Sequence, residues 1–75
     1  MVFKVIEVLG TSEKSWEDAV RQAVEMAKQT VKQIRCVDVV KHTARIENDQ
    51  IVGYTADCKI LFEVRPEEQH HHHNH

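Results

Sequence analysis

A single apolar stripe with the period of an α-helix lies between runs of strand character, and it limits what this chain can become. Apolar residues recur at Trp16, Ala19, Val20, Ala23, Val24, Ala27, Val31 and Ile34. That spacing keeps one helix face apolar for about five turns. Arg21, Gln22, Glu25, Lys28, Gln29 and Lys32 fill the opposite face. The alanines in the stripe predict a helix seated close against a sheet. Ser15-Trp16-Glu17-Asp18 has the form of a capping box, and its two acids suit the positive end of the helix dipole. Glu25 and Lys28 are placed to pair across one turn.

Strands flank the helix. Val2 to Leu9 (VFKVIEVL) is β-branched and apolar, and Gly10-Thr11-Ser12 is expected to end it. Arg35 to Ile46 and Ile51 to Arg65 are two long runs of strand character. Glu47-Asn48-Asp49-Gln50 between them supplies turn residues that tolerate positive φ. Pro66 ends the last arm. The sequence therefore predicts an α+β domain of order β-α-β-β over residues 1–69, a three-stranded antiparallel sheet wrapped around one helix.

Parity assigns the faces of the hairpin. In the last strand Val52, Tyr54, Ala56, Cys58, Ile60, Phe62 and Val64 share one apolar face. A turn centred on Asn48-Asp49 pairs Ile46 with Ile51, which brings Val37 beside Ile60 and Val39 beside Cys58. Cys36, Asp38, Val40 and His42 then fall on the other face with Leu61, Lys59, Asp57 and Thr55, and Asp38 opposes Lys59 as a cross-strand charge pair. A bulge or an added turn residue would invert this for one strand. One helix covers one sheet face, so the second, mixed face is left open and is read as an interface.

Size makes that interface matter. The chain has 75 residues, and His70–His75 (HHHHNH) reads either as a purification-tag remnant or as a native metal-binding tail. A domain of residues 1–69 buries only about 60% of the surface its unfolded chain exposes. Chains this small are usually reinforced by disulfides, a metal or partner subunits. Two cysteines make no disulfide framework and no paired Cys/His spacing for zinc is present, so oligomerisation remains. A formal net charge of -2 argues against a nucleic-acid partner. Without a long apolar segment or a charged leader, a membrane role is not expected and a reduced, cytoplasmic setting is.

The stretch Lys4-Val5-Ile6-Glu7-Val8-Leu9-Gly10-Thr11-Ser12-Glu13-Lys14-Ser15-Trp16-Glu17-Asp18-Ala19-Val20 closely resembles the opening of dodecins, and the similarity runs on to about Arg65. The resemblance implies a hollow homododecamer of tetrahedral symmetry. It also implies non-enzymatic storage of a flavin, riboflavin or FMN, held between subunits and stacked on a tryptophan. This sequence departs from that pattern twice. Cys36 stands where flavin-binding dodecins carry the stacking tryptophan, and Thr55 where they carry a glutamine that hydrogen-bonds the ring edge. Losing an aromatic stack removes roughly 0.5–1.5 kcal/mol beyond area burial, and losing the amide roughly 1–3 kcal/mol more. Weak flavin binding or none is therefore expected, in a cage that still forms. Some dodecin-like proteins without the tryptophan are associated with divalent cations, calcium in particular, so a changed ligand or a ligand-free interaction oligomer is the alternative.

The ligand-site candidates are accordingly Cys36, Thr55, Arg45 and Asp38. Cys36 is read as a small interface residue, with no basic group spaced to activate its thiol. Arg45 is either a partner for a ligand phosphate or a solvated hairpin residue. Asp38, Asp57 and Glu63 are either cation ligands or salt-bridged surface charges, and no EF-hand loop is present. Trp16, on the apolar stripe, is assigned to packing or subunit contact rather than to flavin stacking. His42 has no partner that would make it a general base. No nucleophile-base pair or phosphate loop is recognisable, so no enzymatic role is expected.

Overall fold

The computed structural model describes residues 1–65; the polar exit after Arg65 and the histidine-rich segment 70–75 lie outside the described residues. The chain folds as β1 (Val2–Ser12), α1 (Trp16–Ala27), β2 (Ile34–Glu47) and β3 (Gln50–Val64). The sheet is antiparallel with order β1-β3-β2, so β3 is central and pairs on both sides. The helix packs on one face only, as the β-α-β-β reading requires.

Ser15 caps α1, its hydroxyl accepting the amide of Asp18 at 3.0 Å. The second half of the capping box is replaced: the Asp18 carboxylate accepts from the Ser12 hydroxyl at 2.7 Å instead of returning to Ser15. Ser12 Oγ also accepts the amide of Lys14 at 2.8 Å, which ties the end of β1 to the first helical turn. Glu25 and Lys28 form the expected ion pair at 3.2 Å.

Two boundaries move from their sequence positions. The helix stops at Ala27 rather than running on with the stripe. The amide of Thr30 bonds back to Ala27 and Gln33 takes a positive φ of 63°. Val31 from this turn and Ile34 from the start of β2 still pack on the core, which is why the apolar period outlasts the helix. β1, in turn, does not break at Gly10: Gly10, Thr11 and Ser12 pair with Ala56, Thr55 and Tyr54. Gly10 is needed for closeness rather than for a turn. A Cβ there would drive into the carbonyl oxygen of Ala19 and stand 3.1 Å from the Ala23 side chain.

The core is thin. Its buried members are Ala19, Ala23 and Ala27 from the helix and Ala56, Cys58 and Ile60 from β3, with Ile6, Val8, Val37 and Val39 packed partly against them. Ile60 and Cys58 are the largest side chains fully buried. Alanines let the helix lie near the sheet, but they bring little apolar area to bury.

The hairpin turn is the short one predicted. Asn48 and Asp49 take φ of 52° and 63°, and Ile46 pairs with Ile51. Between Val39 and Lys41 the ladder slips by one residue at Val40, and a second slip near Arg45/Ile46 restores it. Between the two slips β2 is inverted relative to simple parity. His42 pairs with Ala56 and lies on the helix face, not on the open face, while Thr43 and Arg45 pair with Thr55 and Gly53. No helix of the described residues is long and apolar enough to cross a membrane.

Candidate functional site

The face of the sheet turned away from the helix is organised in rows. Val5, Leu61 and Cys36 form one row and Glu7, Lys59 and Asp38 the next. Leu9, Asp57 and Lys41 follow, then Thr11, Thr55 and Thr43. Gly53 and Arg45 close the series. Val5 and Leu9 remain 52% and 63% exposed, and Phe3 and Val40 are also exposed. This sheet face, which mixes apolar and charged residues, is left uncovered by the rest of the subunit.

All four candidate residues lie on this face, in two groups. Cys36 and Asp38 adjoin Leu61 and Lys59, while Thr55 adjoins Thr43 and, one row further, Arg45 over Gly53. Leu61 and Thr55 are six residues apart on β3, roughly 20 Å at strand rise. One subunit thus does not bring Cys36 and Thr55 to the same ligand. Cys36 is exposed and Cys58 buried, both are free, and they point to opposite faces. Burial pushes the Cys58 thiol up, so it stays protonated and structural.

The Arg45 guanidinium lies over Gly53, where an added Cβ would come within 3.1 Å of both terminal nitrogens. Its Nε is 3.8 Å from Glu47. With Lys14, Thr11, Ser12, Asp18 and Gln22 it lines an open polar cleft of about 450 Å³ at the end of β1. The Ser12 hydroxyl, aided by Gln22, Lys14 and Arg21, holds the Asp18 carboxyl below its usual range. Glu63 is committed elsewhere, paired with Arg35 at 3.1 Å. Among the described residues no group of three or more His, Cys, Asp or Glu is placed to hold a metal within one subunit.

Trp16 is occupied on the helix face. Its indole N–H donates to the Thr43 carbonyl at 3.0 Å. Its ring meets Tyr54 and His42 edge-on, with centroids 4.9 and 5.6 Å apart. The packing role assigned to Trp16 is what its geometry provides, and His42 is part of it. Simple parity hid that contact, because the slip at Val40 is what turns His42 toward the helix. Glu7 and Asp57 also went unnoticed as a pair. They are diagonal neighbours on β1 and β3, and the hydrogen bond and charge of Asp57 raise the Glu7 carboxyl above its ordinary range. Extending the β1 ladder by parity would have exposed them.

A family model described as Dodecin matches residues 2–65. The chain belongs to the dodecin family. It is 34% identical over 65 residues to calcium dodecin of Mycobacterium tuberculosis, covering 87% of this chain and 92% of that protein. The dodecin structure from Streptomyces coelicolor superposes with a TM-score of 0.80 at 31% identity, over 85% of this chain and 91% of that one. A crystal structure of M. tuberculosis calcium dodecin, described as having a novel calcium-binding site, superposes with a TM-score of 0.75 at 33% identity, over 88% and 94% of the two chains. Within the dodecin frame the open face offers no tryptophan, since the single Trp of this chain is Trp16.

Proposed function

We propose that this chain is the subunit of a non-enzymatic, dodecin-type storage oligomer, in which copies join through the open sheet face and hold a small ligand between them. The thin core carries the reading. With Ile60 and Cys58 its largest fully buried side chains, the subunit has little apolar burial of its own, while Val5, Leu9 and Val40 stay exposed on or beside the open face. A second copy covering that face supplies the missing burial. The separation of Cys36 from Thr55 favours a ligand site made by two subunits. The family likeness implies twelve. Two free cysteines on opposite faces fit a reduced, cytoplasmic setting.

The ligand is not a tightly held flavin. Cys36 offers no ring to stack on and Thr55 no amide fork, and Trp16 is tied to Thr43, Tyr54 and His42. A divalent cation is the second reading, favoured by the carboxylates Glu7, Asp38 and Asp57 on the open face and by the likeness to calcium dodecin. Among the described residues no subunit gathers three such groups, so a cation held there would take its oxygens from more than one copy. Native mass spectrometry with riboflavin or calcium added tests all of this together. The expected result is an oligomer with no riboflavin retained at micromolar concentration, and calcium retained if the second reading holds. A monomer would overturn the assembly, and strong quenching of riboflavin fluorescence would overturn the assignment of a changed ligand. The double substitution Cys36→Trp, Thr55→Gln is expected to create flavin quenching; failure in a folded oligomer would show the site is misplaced.

A further inference from the structure

The hairpin of β2 and β3 outruns the strand beside it. The β1 ladder ends with Ser12 opposite Tyr54, so from Arg45 to Gly53 the sheet is only two strands wide. Such a ribbon is marginal in water unless something packs on it. Ile46 and Ile51 pair across this tip and stay 56% and 53% exposed. The tip is also acidic: Asp49 forms no ion pair among the described residues, and Glu47 only a long one, 3.8 Å from Arg45.

At the far end of β2 lies an open groove of about 590 Å³, lined by the half-buried Val24, Val31 and Ile34 and by the exposed cations Lys28, Lys32 and Arg35. No acidic residue lines it. Gln33 sets its shape, turning the chain from the helix end into β2 with a φ of 63°. The Gln33 carbonyl accepts the Glu63 amide at 3.0 Å, and its side-chain oxygen accepts from Arg35 at 2.7 Å. A groove held in this way needs little ordering to receive a partner. Lys28 and Arg35 are paired with Glu25 and Glu63 at 3.2 and 3.1 Å, which leaves Lys32 as the cation of the groove without an ion pair among the described residues.

We infer that the hairpin tip of one copy docks in this groove on a second copy, Ile46 and Ile51 against Val24, Val31 and Ile34, with Asp49 and Glu47 toward Lys32. The inference deepens the oligomer reading and rests on it. Tip and groove of one copy do not meet, because twelve residues of strand hold Ile34 and Ile46 about 40 Å apart. The contact is therefore head-to-tail: each copy gives a tip to one neighbour and receives a tip from another. Open face against open face, by contrast, joins copies only in pairs. Pairing alone stops at two copies and head-to-tail docking alone at a single ring. The two contacts together build a closed shell.

The test is Ile46→Ser/Ile51→Ser, compared with the wild type by native mass spectrometry, with circular dichroism reporting the fold. Both side chains are exposed, so the subunit does not need them to fold. The wild type is expected as an assembly larger than a dimer, and the variant as dimers. The second arm places Lys32→Cys and Ile51→Cys together in a Cys36→Ser background and treats the protein with oxidised glutathione. Each chain then links at both ends, so disulfide-bonded species beyond a dimer are expected on a non-reducing denaturing gel, and at most dimers from either new cysteine alone. A double-serine variant that keeps the wild-type mass, or no covalent species beyond a dimer, overturns the docking alone; either follows if the chain's own acidic exit, Glu67 and Glu68, fills the groove. A wild type no larger than a dimer also overturns the docking and leaves the open-face reading standing. A wild type that is monomeric overturns both.

Discussion

The close seating of the helix on β1 makes Gly10→Ala the most decisive single change in the subunit. Gly10 has no positive φ, so alanine meets no backbone strain there. On unfolded-state entropy alone the substitution would stabilise by about 0.4–1 kcal/mol. Packing points the other way. The new methyl would run into the carbonyl oxygen of Ala19, with the carbonyl carbon at 2.9 Å and Ala23 Cβ at 3.1 Å. A backbone carbonyl in the first turns of a helix cannot rotate aside, so α1 as a whole must lift from the sheet, loosening Ala19, Ala23 and Ala27 together. Overpacking of this kind costs about 1–3 kcal/mol or more, and the upper end applies because the obstacle is backbone. Gly53→Ala is the matched control: the atoms nearest its methyl are the end of the Arg45 side chain, which can swing away, so its effect stays within about 0.5 kcal/mol. Both are measured by urea unfolding at one fixed protein concentration, because self-association shifts apparent stability. If Gly10→Ala is no less stable than Gly53→Ala, the account of helix seating is wrong.

Other substitutions probe the remaining contacts. Ser15→Ala removes the hydroxyl that accepts the Asp18 amide and should cost about 1 kcal/mol in the same urea assay. Ile60→Ala empties the centre of a core with few large side chains and should cost about 2–5 kcal/mol, seen as a lower urea midpoint or loss of folded protein. Asp18, held below its usual range by Ser12, contributes stability that is present above its unfolded titration and lost as pH falls through the folded one. The gap between wild type and Asp18→Asn should therefore close on acidification, as measured by thermal unfolding across pH. Trp16→Phe keeps an aromatic side chain but loses the indole N–H and its bond to the Thr43 carbonyl, which alone should cost about 0.5–1.5 kcal/mol in the same urea assay.

Most of the fold was legible because its signals are local. The stripe from Trp16 names the helix, Ser15 its start, and Asn48-Asp49 the hairpin turn, whose positive φ angles the structure reproduces. The even-numbered apolar face of β3 was legible for the same reason. What escaped depended on contacts between distant elements. Nothing in Gly10-Thr11-Ser12 announces that Ala56, Thr55 and Tyr54 will extend the strand through it, and nothing in Thr30-Val31 announces that packing on the core outlasts the helix. The slip at Val40 is of the same kind, since a bulge leaves no mark in a β-branched run such as Val37-Asp38-Val39-Val40.

That slip shapes the candidate site. Had parity held through β2, His42 would stand on the open face beside Thr55, with Thr43 and Arg45 turned toward the helix. The Trp16 indole would then lose His42 as its edge-on neighbour, and the face offered to a partner would lose its guanidinium. With the slip, the helix face gains the Trp16–His42–Tyr54 cluster that pins the start of α1. The open face gains the threonine row and Arg45. The second slip near Arg45/Ile46 then returns the ladder to register, so the tight Asn48-Asp49 turn still closes it. An extra residue in one strand is tolerated only when its twist is absorbed elsewhere. Deleting Val40 should therefore remove the bulge and its twist while leaving His42 on the helix face and Thr43 and Arg45 on the open face, because Val39 and Lys41 already pair with the adjacent Cys58 and Asp57.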